Sequence, residues 1–379
     1  MIYLDNNATT RVADEVVDAM TPAYREIYGN PHSPHALGRA AHDLVENARS
    51  EVARLLGARA ESIAFTSCGT ESNALVLRSF ASRADRPKIV TTAVEHPSVL
   101  AMLHELAGDG SIELEVTPVT PDGALDLDAM RDAVDDGTAL VSVMLAQNET
   151  GVIHDVAAVA AIAHEHGALV HVDAVQAAGK VAIDVDLLGA DLLSISGHKF
   201  HAPKGIGALF IRRGIALEPI WRGGGQENGL RSGTEPVPLI AGLGRACSLA
   251  LELLPHQKEV QRHRDRLEER VLASGGDVRV NGAAQTRLPN TASMSFRGLR
   301  ADHLVAAFDT EGICCSAGAA CHSGRAEPSG VMLAMGTPRD YAVGTVRFSL
   351  SRYTTGEEIH QAAGRIIGTL SKLHAAAGA

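Results

Sequence analysis

Short runs of aliphatic and β-branched residues recur along the chain at Ser62–Thr66, Lys88–Ala93, Ala139–Leu145, Ala168–Asp173, Asp191–Ser196 and Ile206–Ile211. Stretches with helical periodicity lie between most of them, among them Glu71–Ala81, Pro97–Ala107 and Val156–His166. This alternation narrows the fold more than any other feature. Strands joined through helices run parallel, so the pattern predicts an α/β fold: a mostly parallel sheet with helices on both faces. In such sheets functional groups gather at the carboxyl ends of the strands. Further on, Pro236–Ala273 is rich in Leu, Ala, Glu and Arg and reads as one long helix. It would join the large α/β domain to a smaller α+β domain that begins near residue 257. Gly and Ser concentrate in Arg222–Gly233 and Ser316–Gly330, which read as loops.

Composition closes off several functions. A net charge of −11 disfavours nucleic acid and anionic membrane surfaces as partners. The start, MIYLDNNATT, has neither the basic nor the apolar region of a signal peptide, and no apolar run approaches the ~18 residues of a membrane span. The five cysteines are Cys68, Cys247, Cys314, Cys315 and Cys321. An odd count without a secretory signal fits reduced thiols in a cytoplasm. The spacing C-C-x5-C matches no zinc pattern, so no intrinsic metal site is expected.

The chemistry is clearest around Lys199. Of the 34 basic side chains only six are lysine, and three of those are Lys180, Lys199 and Lys204. Arginine cannot be deprotonated in a protein; lysine can serve as an amine nucleophile or a proton carrier once its pKa is lowered. Lys199 follows a strand end, in Ser196-Gly197-His198-Lys199. Other strand ends carry complementary groups. The turn Ser67-Cys68-Gly69-Thr70 opens a helix and offers backbone N–H groups and a positive dipole end to a phosphate. It lacks the Gly-Lys-Ser/Thr of a P-loop, and taken alone it reads as an N-cap by Thr70. Asp173 ends one strand, Glu95-His96-Pro97 another, and Asn148 follows a third. One lysine, one aspartate, a phosphate nest, amides and a histidine are the groups that pyridoxal phosphate needs. The lysine forms the Schiff base, the aspartate keeps the ring nitrogen protonated, and His96 covers the ring.

The segments YLDNNATT (Tyr3–Thr10), FTSCGTES (Phe65–Ser72), Glu95-His96-Pro97, NETG (Asn148–Gly151), HVDAVQAAGK (His171–Lys180), SGHKFHAPKG (Ser196–Gly205), RSGTE (Arg231–Glu235), LPNTA (Leu288–Ala292) and GTVRFSLSRYTT (Gly344–Thr355) together resemble the pyridoxal-phosphate cysteine desulfurases of the NifS/IscS type, in the class V aminotransferase group. The resemblance covers nearly the whole chain. It implies a fold-type I enzyme with a large domain at 15–256 containing a seven-stranded sheet. A smaller α+β domain at 1–14 and 257–379 would carry a cysteine loop at about 314–330. It further implies that Lys199 holds the cofactor and Asp173 pairs with its ring nitrogen. Gln176 would bond the ring hydroxyl, Gly69, Thr70, Ser196 and His198 the phosphate, and Gly197 would also contact the cofactor. Asn148 would touch cofactor or substrate, and Arg347 would bind the substrate carboxylate; the bland reading of Arg347 is a surface salt bridge. Thr234 would reach the phosphate site of a second subunit in a homodimer.

The same resemblance makes Cys321, before Glu327-Pro328-Ser329, the nucleophile. L-cysteine would become L-alanine and leave its sulfur on Cys321 as a persulfide. An acceptor protein such as an iron–sulfur scaffold would take it, with a transient iron–sulfur contact at Cys321. His96 would move protons. Two positions depart from the family pattern: His322, where Thr or Ser is frequent, and Gly330, where His is common. The readings weighed against this one are a selenocysteine lyase or another class V aminotransferase, and a non-enzymatic scaffold.

Overall fold

The computed structural model describes residues 1–81, 86–318 and 327–377. Cys321 and His322 therefore lie outside the described residues. Seven strands form the main sheet, in the spatial order Ile63–Thr66, Gly207–Ile211, Leu192–Ser196, Leu169–Asp173, Thr138–Met144, Lys88–Thr92 and Glu113–Thr117. Gly207–Ile211 runs antiparallel to both neighbours, and all other pairings are parallel. The mostly parallel α/β sheet expected from the alternation is present, and each of the six expected strands begins and ends within one residue of its run. Thr138–Met144 and Leu192–Ser196 are buried along their whole length, because helices cover both faces.

The set of strand runs and the long helix need correction. The sheet has the seven strands that the resemblance implies, but its seventh, Glu113–Thr117, is not among the six apolar runs. It is an edge strand with one partner, and its sequence ELEVT places Glu113 and Glu115 on the open side. An edge strand needs no continuous apolar run, so the signal used to find the others is missing. The long helix expected over Pro236–Ala273 is two helices, Val237–Glu252 and Gln257–Leu272, bent by 56° at a short 3₁₀ turn, Leu254–His256. Pro255 sits in that turn, where its ring and missing N–H prevent the helix from continuing.

A second, four-stranded antiparallel sheet has the order Ser316–Ala317, Thr345–Ser349, Thr291–Phe296, Val278–Val280. Its core stacks Phe308 between Phe296 and Phe348, at ring separations of 6.5 Å and 5.8 Å. The same core takes in Ile2 and Leu4 from the chain's start, whereas Leu288, Met332 and Met335 pack into the core of the larger sheet. Residues 5–10 bridge the two sheets. Asn6 N–H donates to the Ser349 carbonyl at 3.1 Å, and Thr10 N–H donates to the His198 carbonyl at 2.9 Å. This bridge brings the start of the chain to Lys199. Among the described residues no single helix is long and apolar enough to cross a membrane.

Candidate active site

Strand ends and helix starts converge on a cavity of about 260 Å³. Gly69, Thr70, His96, Asn148, Asp173, Gln176, Ser196, His198 and Lys199 all line it. Of the six lysines, only Lys199 does. The cavity thus gathers, from separate strand–helix junctions, most of the residues singled out in the sequence.

Lys199 closes the short 3₁₀ turn Gly197–Lys199 after the strand Leu192–Ser196. Its Nζ donates to the carbonyls of Asn7 at 2.6 Å and Ala8 at 2.9 Å. Burial lowers its pKa to about 8, helped by the Arg347 charge and opposed by Asp173 and Asp5. A free-amine fraction is therefore available near neutral pH, as an amine nucleophile or base requires. Across the cavity Asp173 is fixed at both oxygens: Val175 N–H donates to Oδ1 at 3.0 Å and Asn73 Nδ2 to Oδ2 at 2.9 Å.

The helix Gly69–Ala81 begins two residues earlier than the sequence pattern indicates, which places Thr70 in its first turn. The reading of Thr70 as an N-cap is thereby corrected, and Gly69 and Thr70 at that helix start line the cavity. A Cβ on Gly69 would come within 2.7 Å of Val175 Cγ2, so a side chain there would have to displace Val175. Beside it, the buried Ser196 Oγ has no hydrogen-bond partner. An orphaned hydroxyl next to a helix start is the donor set a phosphate would complete. On this observation the residues fit pyridoxal phosphate.

His96 caps the helix Pro97–Gly108. Ser98 N–H donates to its Nδ1 at 3.1 Å. Nδ1 is therefore an acceptor, and in the neutral ring the proton sits on Nε2. Its pKa is lowered by the protein mass around it and by Lys199, against the pull of Asp173. Burial also holds the His198 ring low, at about 4, with Lys199 adding to the effect. Glu95, next in sequence to His96, is fully buried and pushed up to about 8, chiefly by desolvation.

Three expected site residues do not line the cavity. Gly197 packs inward, where a Cβ would come within 2.8 Å of Ala202 Cβ. Thr234 is exposed, away from this chain's cavity. Arg347 is no surface salt bridge: its side chain is only 10% exposed, and it pairs with Asp5 at 3.0 Å. Its Nη1 donates to the carbonyl of cavity-lining Asn148 at 3.1 Å. Cys247 and Cys315 are buried, and burial pushes both thiols up.

Sequence reasoning missed Asn7 and Asn73. Asn7 is a junction: besides seating Lys199 it receives the Gln176 amide on its carbonyl at 3.0 Å and donates to the Asn148 carbonyl at 3.2 Å. Its one signal in the sequence is its place in the segment Tyr3–Thr10. Asn73 lies four residues after Gly69, one helical turn along the same face, and that spacing could have found it.

Residues 2–361 match the class-V aminotransferase family. The chain is 46% identical over 361 residues to the cysteine desulfurase NifS of Azotobacter vinelandii, covering 94% of this chain and 90% of that protein. Among solved structures it is similar to a NifS-like protein with a TM-score of 0.92, 39% identity, and coverage of 98% and 99%. It is also similar to SspA in complex with cysteine, with a TM-score of 0.82, 30% identity, and coverage of 94% and 100%. With Lys199 and Asp173 lining one cavity beside a helix start, and with these matches over nearly the full length, the chain belongs to the class-V aminotransferase family.

Proposed function

We propose that the protein is a pyridoxal-phosphate cysteine desulfurase that converts L-cysteine to L-alanine and passes the sulfur to an acceptor protein, in iron–sulfur cluster assembly. The observation that carries this reading is that Lys199 and Asp173 line one cavity, which no other lysine lines, beside the helix start at Gly69 and Thr70. Relatives named cysteine desulfurase and a similar structure complexed with cysteine support the substrate.

Lys199 would hold the cofactor, Asp173 its ring nitrogen and Gln176 its ring oxygen. Gly69, Thr70, Ser196 and His198 would surround its phosphate. Pyridoxal phosphate, when bound, supplies an electron sink for the carbon next to the substrate amine. The chain's own groups do the rest. The Lys199 amine, freed from the cofactor, takes the proton from that carbon; its lowered pKa keeps an unprotonated fraction at neutral pH. His96, which lines the cavity and carries its proton on Nε2 in the neutral ring, would move protons near the leaving sulfur. Arg347 binds the substrate carboxylate through its planar fork. The Cys321 thiolate attacks the substrate sulfur: its S–S bond forms as the substrate C–S bond breaks. Cysteine and the enzyme thiol thus become alanine and an enzyme persulfide, with atoms balanced.

A homodimer would bring each exposed Thr234 to the partner's phosphate site. The domain division at 15–256, with 1–14 joined to 257–379, is supported by the core that unites Ile2 and Leu4 with the second sheet. A selenocysteine lyase is the competing reading. The test is mass spectrometry of the protein after a short L-cysteine pulse without reductant. One added sulfur is expected on the peptide containing Cys321, with Cys321→Ala still binding pyridoxal phosphate but forming no alanine. Sulfur appearing first on Cys314 or Cys315, or parent-rate alanine formation by Cys321→Ala, overturns the assignment.

A further inference from the structure

A second amine stands behind Lys199. Lys180 is buried and does not line the cavity. Its Nζ donates to Gln176 Oε1 at 2.8 Å and to Asn7 Oδ1 at 3.2 Å. Both oxygens are fixed from their far sides. The Gln176 amide nitrogen donates to the Asn7 carbonyl at 3.0 Å. The Asn7 amide nitrogen donates to the Asn148 carbonyl at 3.2 Å and to Thr291 Oγ1 at 2.9 Å. A backbone carbonyl can only accept, so each amide must turn its nitrogen to the carbonyl and its oxygen to Lys180. The Asn7 carbonyl also seats Lys199 Nζ, at 2.6 Å. Lys180, Gln176, Asn7 and Lys199 therefore form one continuous hydrogen-bonded chain.

We propose that Lys180 is a positioning residue that ties up the Gln176 amide oxygen, so that with one N–H on the Asn7 carbonyl the second N–H is the group Gln176 can offer to the cavity it lines, and that steadies the Asn7 carbonyl under Lys199. An N–H there selects an oxyanion on the ligand, and this rests on the pyridoxal-phosphate reading above. Lys180 suits the task because it donates in either protonation state. Burial, together with the charges of Lys199 and Arg347, drives its pKa well below the ordinary lysine value. An uncharged amine still offers two N–H donors, enough for both oxygens. The charged and titratable groups facing Lys199 are Arg347, Asp173 and Asp5, with the His96 and His198 rings beside it.

The test uses holoenzyme and the pH midpoint of the bound cofactor's visible absorbance, with thermal melting to check folding. Losing a fixed donor on the ring oxygen leaves the neighbouring proton more tightly held, so Lys180→Met is expected to raise the midpoint by at least ~0.5 pH unit. It is also expected to weaken pyridoxal phosphate binding by about threefold or more, threefold being about 0.65 kcal/mol. The shift passes through Gln176, so Lys180→Met/Gln176→Ala should move no further than Gln176→Ala alone. Lys180→Gln, which puts a shorter donor in place of the amine and loosens the hold on Gln176 Oε1, should shift the midpoint in the same direction and carries the test if the methionine variant does not fold. An unmoved midpoint in the Lys180 variants, or shifts that add fully in the double variant, overturns the proposal. Loss of the fold in both single variants overturns it too, since the amine would then be a structural strut. Failure of the parent protein to take up pyridoxal phosphate at Lys199 sinks the cofactor reading and this proposal with it. An unmoved midpoint in a protein that does take it up sinks this proposal alone.

Discussion

Arg347→Ala separates a substrate-binding arginine from a structural one. Arg347 lies on the strand Thr345–Ser349, with Nη2 on Asp5 at 3.0 Å, Nη1 on the Asn148 carbonyl at 3.1 Å, and a buried Nε without a partner. Losing a charge-assisted pair to the substrate carboxylate costs about 1.5–3 kcal/mol, which is about 10- to 150-fold in KM with a smaller change in kcat. The fold pays separately: Asp5, 19% exposed at its side chain, loses its cation, at a cost of about 1–3 kcal/mol. Asp5→Asn distinguishes the two effects. It removes the anion that competes with substrate for Arg347 while leaving the guanidinium in place. It should lower stability as Arg347→Ala does, yet lower KM instead of raising it. Glu149 adds a pH dependence. Burial raises its pKa to about 7, against the Ser329 hydrogen bond and the Arg347 charge. As pH rises through about 7 this carboxylate forms beside Arg347 and competes for it, so KM should climb, and Glu149→Gln should flatten the climb. The assay is alanine formation against L-cysteine concentration, with thermal melting in parallel. A KM for Arg347→Ala within about threefold of the parent, or Asp5→Asn raising KM as strongly as Arg347→Ala, refutes the reasoning.

Glu95→Gln tests the buried carboxyl beside His96. Its folded pKa of about 8 is raised above the ordinary 4.5, so its contribution is fully present below about pH 4.5 and is lost as pH rises to about 8. Chemical unfolding across that window should show the parent losing up to ~1.4 kcal/mol per pH unit relative to the glutamine variant; a constant difference between the two would contradict the shift. Glu227→Ala breaks a two-bonded ion pair with Arg49, at 2.8 Å and 3.0 Å, that also accepts Phe65 N–H at 2.9 Å. With the Glu227 side chain only 3% exposed, the loss should be about 3–5 kcal/mol by urea unfolding, and a loss below ~1 kcal/mol would mean the pair behaves like a surface one.

What could be read in the sequence divides along a physical line. The central strands are legible because burial on both faces favours apolar runs, and Thr138–Met144 is buried from end to end with only Thr138 and Ser142 polar. Glu113–Thr117 is not, because a strand with one neighbour is free to alternate Glu with Leu and Val. Lys199, Asp173, His96 and Ser196 are legible because chemistry at a strand end needs a particular side chain at a position the pattern already marks. Asn7 and Lys180 belong to another class. Asn7 lies 192 residues from Lys199 and 173 from Lys180, and no local rule links them. Each amide in that network is fixed by a backbone carbonyl elsewhere in the fold, so its role exists only after both sheets have formed and residues 5–10 have crossed between them. The groups that perform the chemistry can thus be inferred from residue type and register. The groups that hold those side chains at working distance follow from tertiary hydrogen bonding, which favours Asn, Gln and a buried Lys because a single side chain of these types can satisfy several distant partners at once.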